Sequence, residues 1–171
     1  MKNVKNYNAF TLNEMDLPPL HPMEQKLTVT RAIERAMRSK KPVILLPSPG
    51  SGRSGVGSVA EASEDLGCTM ILADCEFMTP EDISLPVGKE TLTPASFLPY
   101  GNSAEPMILM FKSIDRADPQ VSNLLIKLAT QRSLGSYTLP ENCVVVTSGN
   151  ESFEVGEISS SLQDRFILAT P

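Results

Sequence analysis

The chain has 171 residues, enough for one domain with a sizeable core, and its 41% hydrophobic and 20% charged residues are ordinary for a globular protein. The net charge of −5 argues against a general nucleic-acid-binding protein, which usually carries a basic face. The apolar runs are too short to span a membrane. The three cysteines are widely spaced and there is one histidine, so we expect reduced cysteines, no metal site and a cytoplasmic location.

The first part of the chain divides at about residue 25. Residues 1–24 show little hydrophobic periodicity and include a proline-rich stretch, which indicates an extended arm. Residues 24–39 place apolar side chains on one helical face, with basic residues between them. One small basic patch remains possible there despite the acidic composition, formed by Arg35, Arg38, Lys40 and Lys41. The rest of the chain, 25–171, is expected to form a single core.

That core alternates between strand and helix patterns. Short continuous apolar runs predict five buried strands, at residues 42–46, 69–74, 107–111, 143–147 and 166–170. Helices are predicted at 54–67, 118–131 and 159–164, with a helix start capped by Thr79 and a short extended piece at 136–139. Glycines and prolines indicate that residues 85–105 are mostly loop. The alternation predicts an α/β domain whose mostly parallel sheet is flanked by helices.

The loop after the first core strand has the pattern of a phosphate-binding loop. Such a loop needs glycines that turn backbone N–H groups inward, a helix amino terminus, a lysine for the phosphates and a hydroxyl for Mg²⁺. Pro47 stands where the first glycine belongs, and Arg53 replaces the lysine with a planar guanidinium. On this motif alone, an ordinary turn is an equal alternative. The candidate nucleotide-binding residues are Gly50, Ser51, Gly52, Arg53, Ser54 and Gly55.

Six segments in a fixed order resemble the MoxR branch of the AAA+ ATPases. They are the phosphate-binding loop at 44–54, a Walker B-like strand at 109–117, the helix at 121–126, the segment 132–140, the sensor strand at 144–150 and the closing segment 162–166. The resemblance covers roughly residues 28–166. It implies a three-layer P-loop NTPase fold, the AAA+ large subdomain, with a five-stranded sheet. It also makes the plain-turn interpretation of the loop much weaker.

The main departure from that family lies at the end of the Walker B-like strand. The aspartate that holds Mg²⁺ aligns with Lys112, and the glutamate that polarises the attacking water aligns with Ser113. An ammonium group repels Mg²⁺, and the missing carboxylate removes the group that positions water. No catalytic residue is therefore intact, no metal site is expected, and the chain is expected not to be a working ATPase.

Other features implied by the resemblance are retained or missing. Asn150 occupies the sensor position, and Arg165 occupies the position of the arginine finger that acts on a neighbouring subunit's nucleotide. Each has a structural alternative, a turn residue for Asn150 and a helix-end ion pair for Arg165. The chain ends at Pro171, before the family's helical lid, so nucleotide binding is expected to be weakened unless this is a fragment.

Three functions follow from these expectations. The first is a catalytically degenerate AAA+ subunit that regulates or assembles with other AAA+ subunits or with itself, and that donates Arg165. The second is a protein-binding module or inhibitor that uses the 85–105 segment or the arm. The third is residual ATP binding or weak ATPase activity. No cofactor is certain, although ATP or ADP without Mg²⁺ is compatible with the loop; neither a membrane nor a nucleic acid is expected as a partner.

Overall fold

The computed structural model describes residues 27–47, 54–87, 91–94, 97–100, 104–149 and 165–171. Within these ranges the chain forms an α/β domain. Its elements in chain order are β1 (Leu27–Thr28), α1 (Val29–Ser39), β2 (Val43–Leu45), α2 (Gly55–Asp65), β3 (Thr69–Asp74), α3 (Pro80–Ile83), β4 (Ser84–Val87), β5 (Thr91–Pro94), β6 (Met107–Lys112), α4 (Pro119–Gln131), β7 (Ser133–Leu134), β8 (Tyr137–Thr138), β9 (Cys143–Ser148) and β10 (Ile167–Thr170). Two 3-10 turns, Cys75–Phe77 and Ile114–Arg116, follow β3 and β6.

The main sheet has the strand order β1-β10-β2-β9-β6-β3, and every neighbouring pair in it is parallel. The five predicted strands are confirmed as β2, β3, β6, β9 and β10. The two-residue strand β1 extends the sheet beyond β10 at one edge. Parallel strands of this kind are covered on both faces, which explains why β2, β6 and β9 have nearly continuous apolar sequences.

Two hydrophobic clusters lie on opposite faces of the sheet. Helices α1 and α2 cover one face, where Ile33 and Val59 pack with Ile108 and Met110. Helix α4 covers the other face. Its Leu125 and Leu128 pack with Leu109 and Phe111. The side chains of β6 thus alternate between the two faces, as the strand period of two requires.

The helices begin and end close to the predicted residues, with two differences. Helix α1 begins at Val29 rather than at residue 24, because Leu27 and Thr28 pair with β10 as an edge strand. Helix α2 ends at Asp65, two residues before Gly67, which adopts a left-handed conformation with φ of +62°. Asp118 caps α4 by accepting a hydrogen bond from the backbone N–H of Gln120 at 2.8 Å.

The helix start predicted at 79–82 is confirmed, since α3 begins at Pro80, but the Thr79 side chain donates a hydrogen bond instead of accepting one from the helix backbone. The backbone N–H of Thr79 and its hydroxyl both donate to the Asp82 carboxylate, at 2.8 and 3.0 Å. These hydrogen bonds, led by the one from the backbone, lower the pKa of Asp82. The carboxylate therefore accepts the hydrogen bonds that close this short turn.

Residues 85–105, predicted as mostly loop, contain one element that the sequence did not predict. Strands β4 and β5 form an antiparallel hairpin in which Leu85 pairs with Thr93 and Pro86 with Leu92. Proline is tolerated in a strand whose N–H faces away from the partner, and a two-stranded sheet has only such edge strands. The prolines that suggested a loop are therefore compatible with this hairpin.

A second hairpin contains the predicted extended piece at 136–139. Strand β8 pairs there with β7, and Arg132 ends helix α4 in a left-handed conformation. The Arg132 guanidinium donates to the carbonyl oxygens of Cys143 and Pro140, at 3.0 and 2.6 Å. The buried Tyr137 hydroxyl donates to the carbonyl of Pro99 at 2.6 Å. These contacts hold the hairpin against the body of the domain.

Two predicted elements, the arm at 1–24 and the helix at 159–164, lie outside the described residues. Over the described ranges, no helix is both long enough and apolar enough to cross a membrane. The three cysteines are free thiols: Cys75 and Cys143 are buried and Cys68 is half-buried. The prediction of reduced cysteines is therefore met, although Cys68 is less buried than a core residue.

Candidate functional site

The candidate site lies at the carboxyl edge of the sheet, where helix α2 begins. Ser54 caps this helix, and its hydroxyl oxygen accepts a hydrogen bond from the backbone N–H of Gly57 at 2.9 Å. A capping side chain satisfies one of the free N–H groups at a helix start. In this structure the Ser54 hydroxyl therefore stabilises its own helix.

Gly55 allows the start of α2 to approach the strands closely. A Cβ atom at this position would lie 3.3 Å from Cδ1 of Leu45, 3.6 Å from Cβ of Ser148 and 4.0 Å from Cε of Met110. These neighbours belong to β2, β9 and β6. The helix amino terminus is thus placed directly above three adjacent strands, as a phosphate-binding loop requires.

Five of the predicted site residues lie outside the described part of the chain. They are Gly50, Ser51, Gly52, Arg53 and Asn150. Their roles in binding a nucleotide and sensing its phosphate stay predictions. Of the predicted nucleotide-binding residues, the structure describes Ser54 and Gly55.

The tip of strand β6 carries a salt bridge. Lys112 Nζ donates to Asp74 Oδ2 at 2.6 Å, and the two side chains are 41% and 34% exposed. Their residues are paired in the register between β3 and β6. Because Met110 faces helices α1 and α2, strand alternation puts Lys112 on that same face of the sheet.

A second ion pair lies beside the first. Arg116 Nη1 donates to Glu76 Oε1 at 3.4 Å. We define the tip cluster as Asp74, Glu76, Lys112 and Arg116, in which the two acids lie at or just after the end of β3 and the two bases at or just after the end of β6. The hydrogen bond from Lys112 to Asp74, and then the negative charge of Asp74, raise the pKa of the Lys112 ammonium group. The lysine is therefore held in its charged form.

The tip cluster does not fit Mg²⁺. Magnesium is bound by carboxylate and water oxygens in octahedral geometry, and it is repelled by a neighbouring cation. Here the carboxylate of Asp74 is already paired with an ammonium group at 2.6 Å. Within the described ranges, no three His, Cys, Asp or Glu side chains come together in a group that could hold a metal ion.

Ser113, which directly follows Lys112, has an unusual backbone conformation. Its φ and ψ angles are 56° and 43°, in the left-handed region that non-glycine residues seldom occupy. The Ser113 carbonyl accepts a hydrogen bond from the backbone N–H of Arg116 at 3.1 Å, which closes the turn after β6. This tight turn holds Arg116 near the other residues of the tip cluster.

Arg165 lies far from the tip cluster within one chain. It is exposed and lies just before β10, whose first residue, Ile167, pairs with Val43 at the start of β2. Since the strands are parallel, Arg165 is at the amino edge of the sheet and Lys112 is at the carboxyl edge. The structure therefore does not bring these two predicted site residues together.

Asp74 was not among the site residues predicted from the sequence. This residue ends the predicted strand at 69–74, and carboxyl ends of parallel strands meet at one edge of a sheet. That general rule could have suggested a charged neighbour for Lys112. The sequence does not show, however, that β3 and β6 are adjacent, and only this adjacency makes Asp74 its partner.

Comparison with known proteins shows similarity at the level of fold. No family model matches the chain, and no curated protein matches it. A Cytophaga hutchinsonii protein assigned as an ATPase superposes with a TM-score of 0.56 and 12% identity, over 87% of this chain and 48% of that one.

Structures of Thermotoga maritima RuvB, a Holliday junction branch migration motor, give similar results. One structure of this motor has a TM-score of 0.51 and 20% identity, over 83% of this chain and 42% of that one. A point mutant of the same protein has a TM-score of 0.53 and 18% identity, over 87% and 44%. The chain thus spans less than half of each of these proteins. Its parallel sheet with flanking helices has the fold of the AAA+ P-loop NTPases.

Proposed function

We propose that this chain is a degenerate AAA+-like subunit that does not hydrolyse ATP and that regulates or assembles with other AAA+ subunits or with itself. The observation that carries the proposal is the salt bridge between Lys112 and Asp74 at 2.6 Å. It occupies the strand tip where phosphoryl transfer in this fold needs carboxylates for Mg²⁺ and water. A cytoplasmic location is part of the same proposal.

The position of Arg165 supports a role on a second chain. Arg165 is exposed at the amino edge of the sheet, whereas α2 begins at the carboxyl edge. An arginine supplied to a neighbouring nucleotide site stabilises the transition-state charge, and such a contribution is worth about 10³–10⁵ in rate. Arg165 would thus act on an active partner, while its own chain binds ATP or ADP without Mg²⁺ through residues 50–55.

Phosphate release from ATP tests the first half of the proposal. We expect the wild-type chain with Mg²⁺ to release phosphate no faster than the same sample with a chelator. The Lys112→Asp/Ser113→Glu variant is the comparison, since it restores both carboxylates. A substantial wild-type rate that the chelator abolishes would overturn the proposal.

A mixing assay tests the second half. The chain is added to an active AAA+ ATPase that it co-purifies with, and ATP turnover is measured. We expect stimulation by the wild type and a loss of most of it with Arg165→Ala, while the control Lys127→Ala, also exposed, keeps it. An unchanged stimulation with Arg165→Ala would exclude the finger role.

The β4–β5 hairpin favours a second candidate, a protein-binding module. Its two strands pair with each other and with no other described strand, so each has a free edge that another chain could extend. Replacing residues 85–93 by a glycine-serine linker tests this function in a pull-down with a bound partner. Unchanged capture of that partner would exclude the hairpin as the binding element.

A further inference from the structure

The outer surface of helix α1 is basic. Arg31, Arg35 and Arg38 are exposed, and their spacing of four and three residues places them on one side of the helix. Glu34 is the one acidic residue in this helix. In the described part of the chain, none of these three arginines forms an ion pair. The outer side of the helix therefore carries three arginines against one acid, Glu34, and is basic on balance.

The outer surface of helix α2 is acidic. Glu61, Glu64 and Asp65 are exposed, and the helix contains no lysine or arginine. These carboxylates also lack an ion pair to any residue that the structure describes. Like charges three and four residues apart repel one another across a helix surface. The row is therefore unfavourable for the isolated helix.

Several of these charges also oppose the dipole of their own helix. Arg31 lies in the first turn of α1, where the positive end of the dipole favours acids, and this turn contains none. Glu64 and Asp65 lie in the last turn of α2, where the negative end favours bases, and no base is present. Helix stability alone does not account for either row, whereas an oppositely charged partner would.

The two helices that carry these rows are neighbours on one face of the sheet. Helices α1 and α2 cover the same face of the sheet and bury Ile33 and Val59 in the same cluster. We define the α1–α2 face as the outer surface formed by the three arginines and the three acids named above. Within the described ranges the two helices make no ion pair with each other, so no described residue neutralises either row.

We propose that the α1–α2 face binds a second copy of this chain, with α1 of each copy against α2 of the other. A two-fold axis brings the same surface of both copies together, so a face with one basic and one acidic row is complementary to itself. The contact does not depend on Arg165, on a nucleotide or on the tip cluster. It rests on the self-assembly named in the proposed function and gives it a surface, and it can fail while the absence of ATP hydrolysis and the role of Arg165 hold.

A charge-swap experiment tests the contact by sedimentation at two salt concentrations. Variant A carries Arg31→Glu/Arg35→Glu, and variant B carries Glu61→Lys/Asp65→Lys. The substitutions at Arg31 and Asp65 put a charge where its own helix favours it, so both variants should fold. Circular dichroism verifies this, and Asn123→Asp/Lys127→Glu/Gln131→Glu on α4 is the control with the same change of net charge as variant A.

We expect the wild type and the control to dimerise at about 0.05 M salt and to dissociate at about 0.5 M, because screening weakens exposed ion pairs. Variants A and B should each be monomeric at low salt. Their equimolar mixture should dimerise, and so should a chain that carries all four substitutions, because both restore opposite charges across the contact.

Three outcomes would overturn the proposal. One is a wild type that stays monomeric at low salt, and another is dimerisation that neither variant A nor variant B reduces. The third is a mixture of A and B that stays monomeric.

Nucleic acid is the competing partner for the arginine row, so a double-stranded DNA oligonucleotide is titrated in parallel. If the wild type binds this DNA but does not dimerise, and variant A no longer binds the DNA, the arginine row is a DNA-binding surface instead.

Discussion

The buried body of strand β6, residues 107–111, and its tip at Lys112 and Ser113 are under different physical demands. Every residue of the body is at most 8% exposed and packs into one of the two hydrophobic clusters. The side chain of Lys112 is 41% exposed and its charge is balanced by Asp74 from the neighbouring strand. Packing therefore determines which residues the body can contain, and electrostatics determines which residues the tip can contain.

This difference distinguishes the residues that maintain the sheet from those that set the charge at its edge. An AAA+ sheet needs an apolar strand at the position of β6, and any apolar residues of suitable volume maintain it. The ion pair of Lys112 with Asp74 at the tip lies outside this apolar body and places no charge inside it. Three measurements would sharpen or break this comparison, from the largest expected effect to the smallest.

The largest effect is expected in the body, from Phe111→Ala. Phe111 is fully buried and makes an edge-to-face contact with Phe97 at a ring-centroid distance of 6.4 Å. Its truncation leaves a cavity, so we expect the free energy of unfolding to fall by about 3–5 kcal/mol in chemical denaturation. Phe77→Ala is the control, because Phe77 is 80% exposed. Equal losses in both variants would contradict the role assigned to the body.

An intermediate effect is expected at Cys75, which directly follows Asp74. Burial, and then the charge of Asp74, raise the pKa of the Cys75 thiol from 9.0 to about 12. The folded state therefore favours the neutral thiol. This stabilisation is complete below pH 9.0 and is lost as the pH rises from 9.0 towards about 12.

Denaturation midpoints between pH ~8 and ~11 measure this effect. We expect the free energy of unfolding of the wild type to fall across this range. The free energy of unfolding of Cys75→Ala should fall less steeply. The free energy of unfolding of Asp74→Asn should fall with an intermediate slope, since this variant removes the smaller cause of the raised Cys75 pKa. Identical slopes in the wild type and Cys75→Ala would show that the thiol is not held neutral by the fold.

The smallest effect is expected at the tip, from Lys112→Met. Water screens the partly exposed ion pair, so the loss of stability should be well below that of Phe111→Ala. The double variant Asp74→Asn/Lys112→Met should recover most of that loss, because no unpaired charge remains. Lys127→Met, at an exposed lysine on α4, is the control. A double-mutant cycle without coupling would contradict the salt bridge.

The elements of the sheet could be predicted because their signal is local. The apolar runs that became β2, β6 and β9 differ sharply from their surroundings, and Asp118 marks the start of α4 one residue before the helix. The β4–β5 hairpin could not be predicted in the same way. Pro86 and Pro94 indicate a loop locally, and only pairing with a partner strand makes them edge residues.

The candidate site was predicted in part. The position of Lys112 and Ser113 at the end of β6 is confirmed, whereas their interpretation as replaced catalytic acids stays a prediction. The partner of Lys112 was not visible, because Asp74 is separated from it by 38 residues. The resemblance supplied the roles of Asn150 and Arg165, and these roles stay predictions.

By itself the sequence determined the five main strands, the helices between them and the charges at the strand ends, because these are properties of neighbouring residues. The tertiary structure alone decided that β3 lies beside β6, that Asp74 neutralises Lys112, and that a basic and an acidic helix share one face. The physical reason is that strand order and helix placement depend on long-range packing, and the energy of a charge depends on which other charge that packing brings near it.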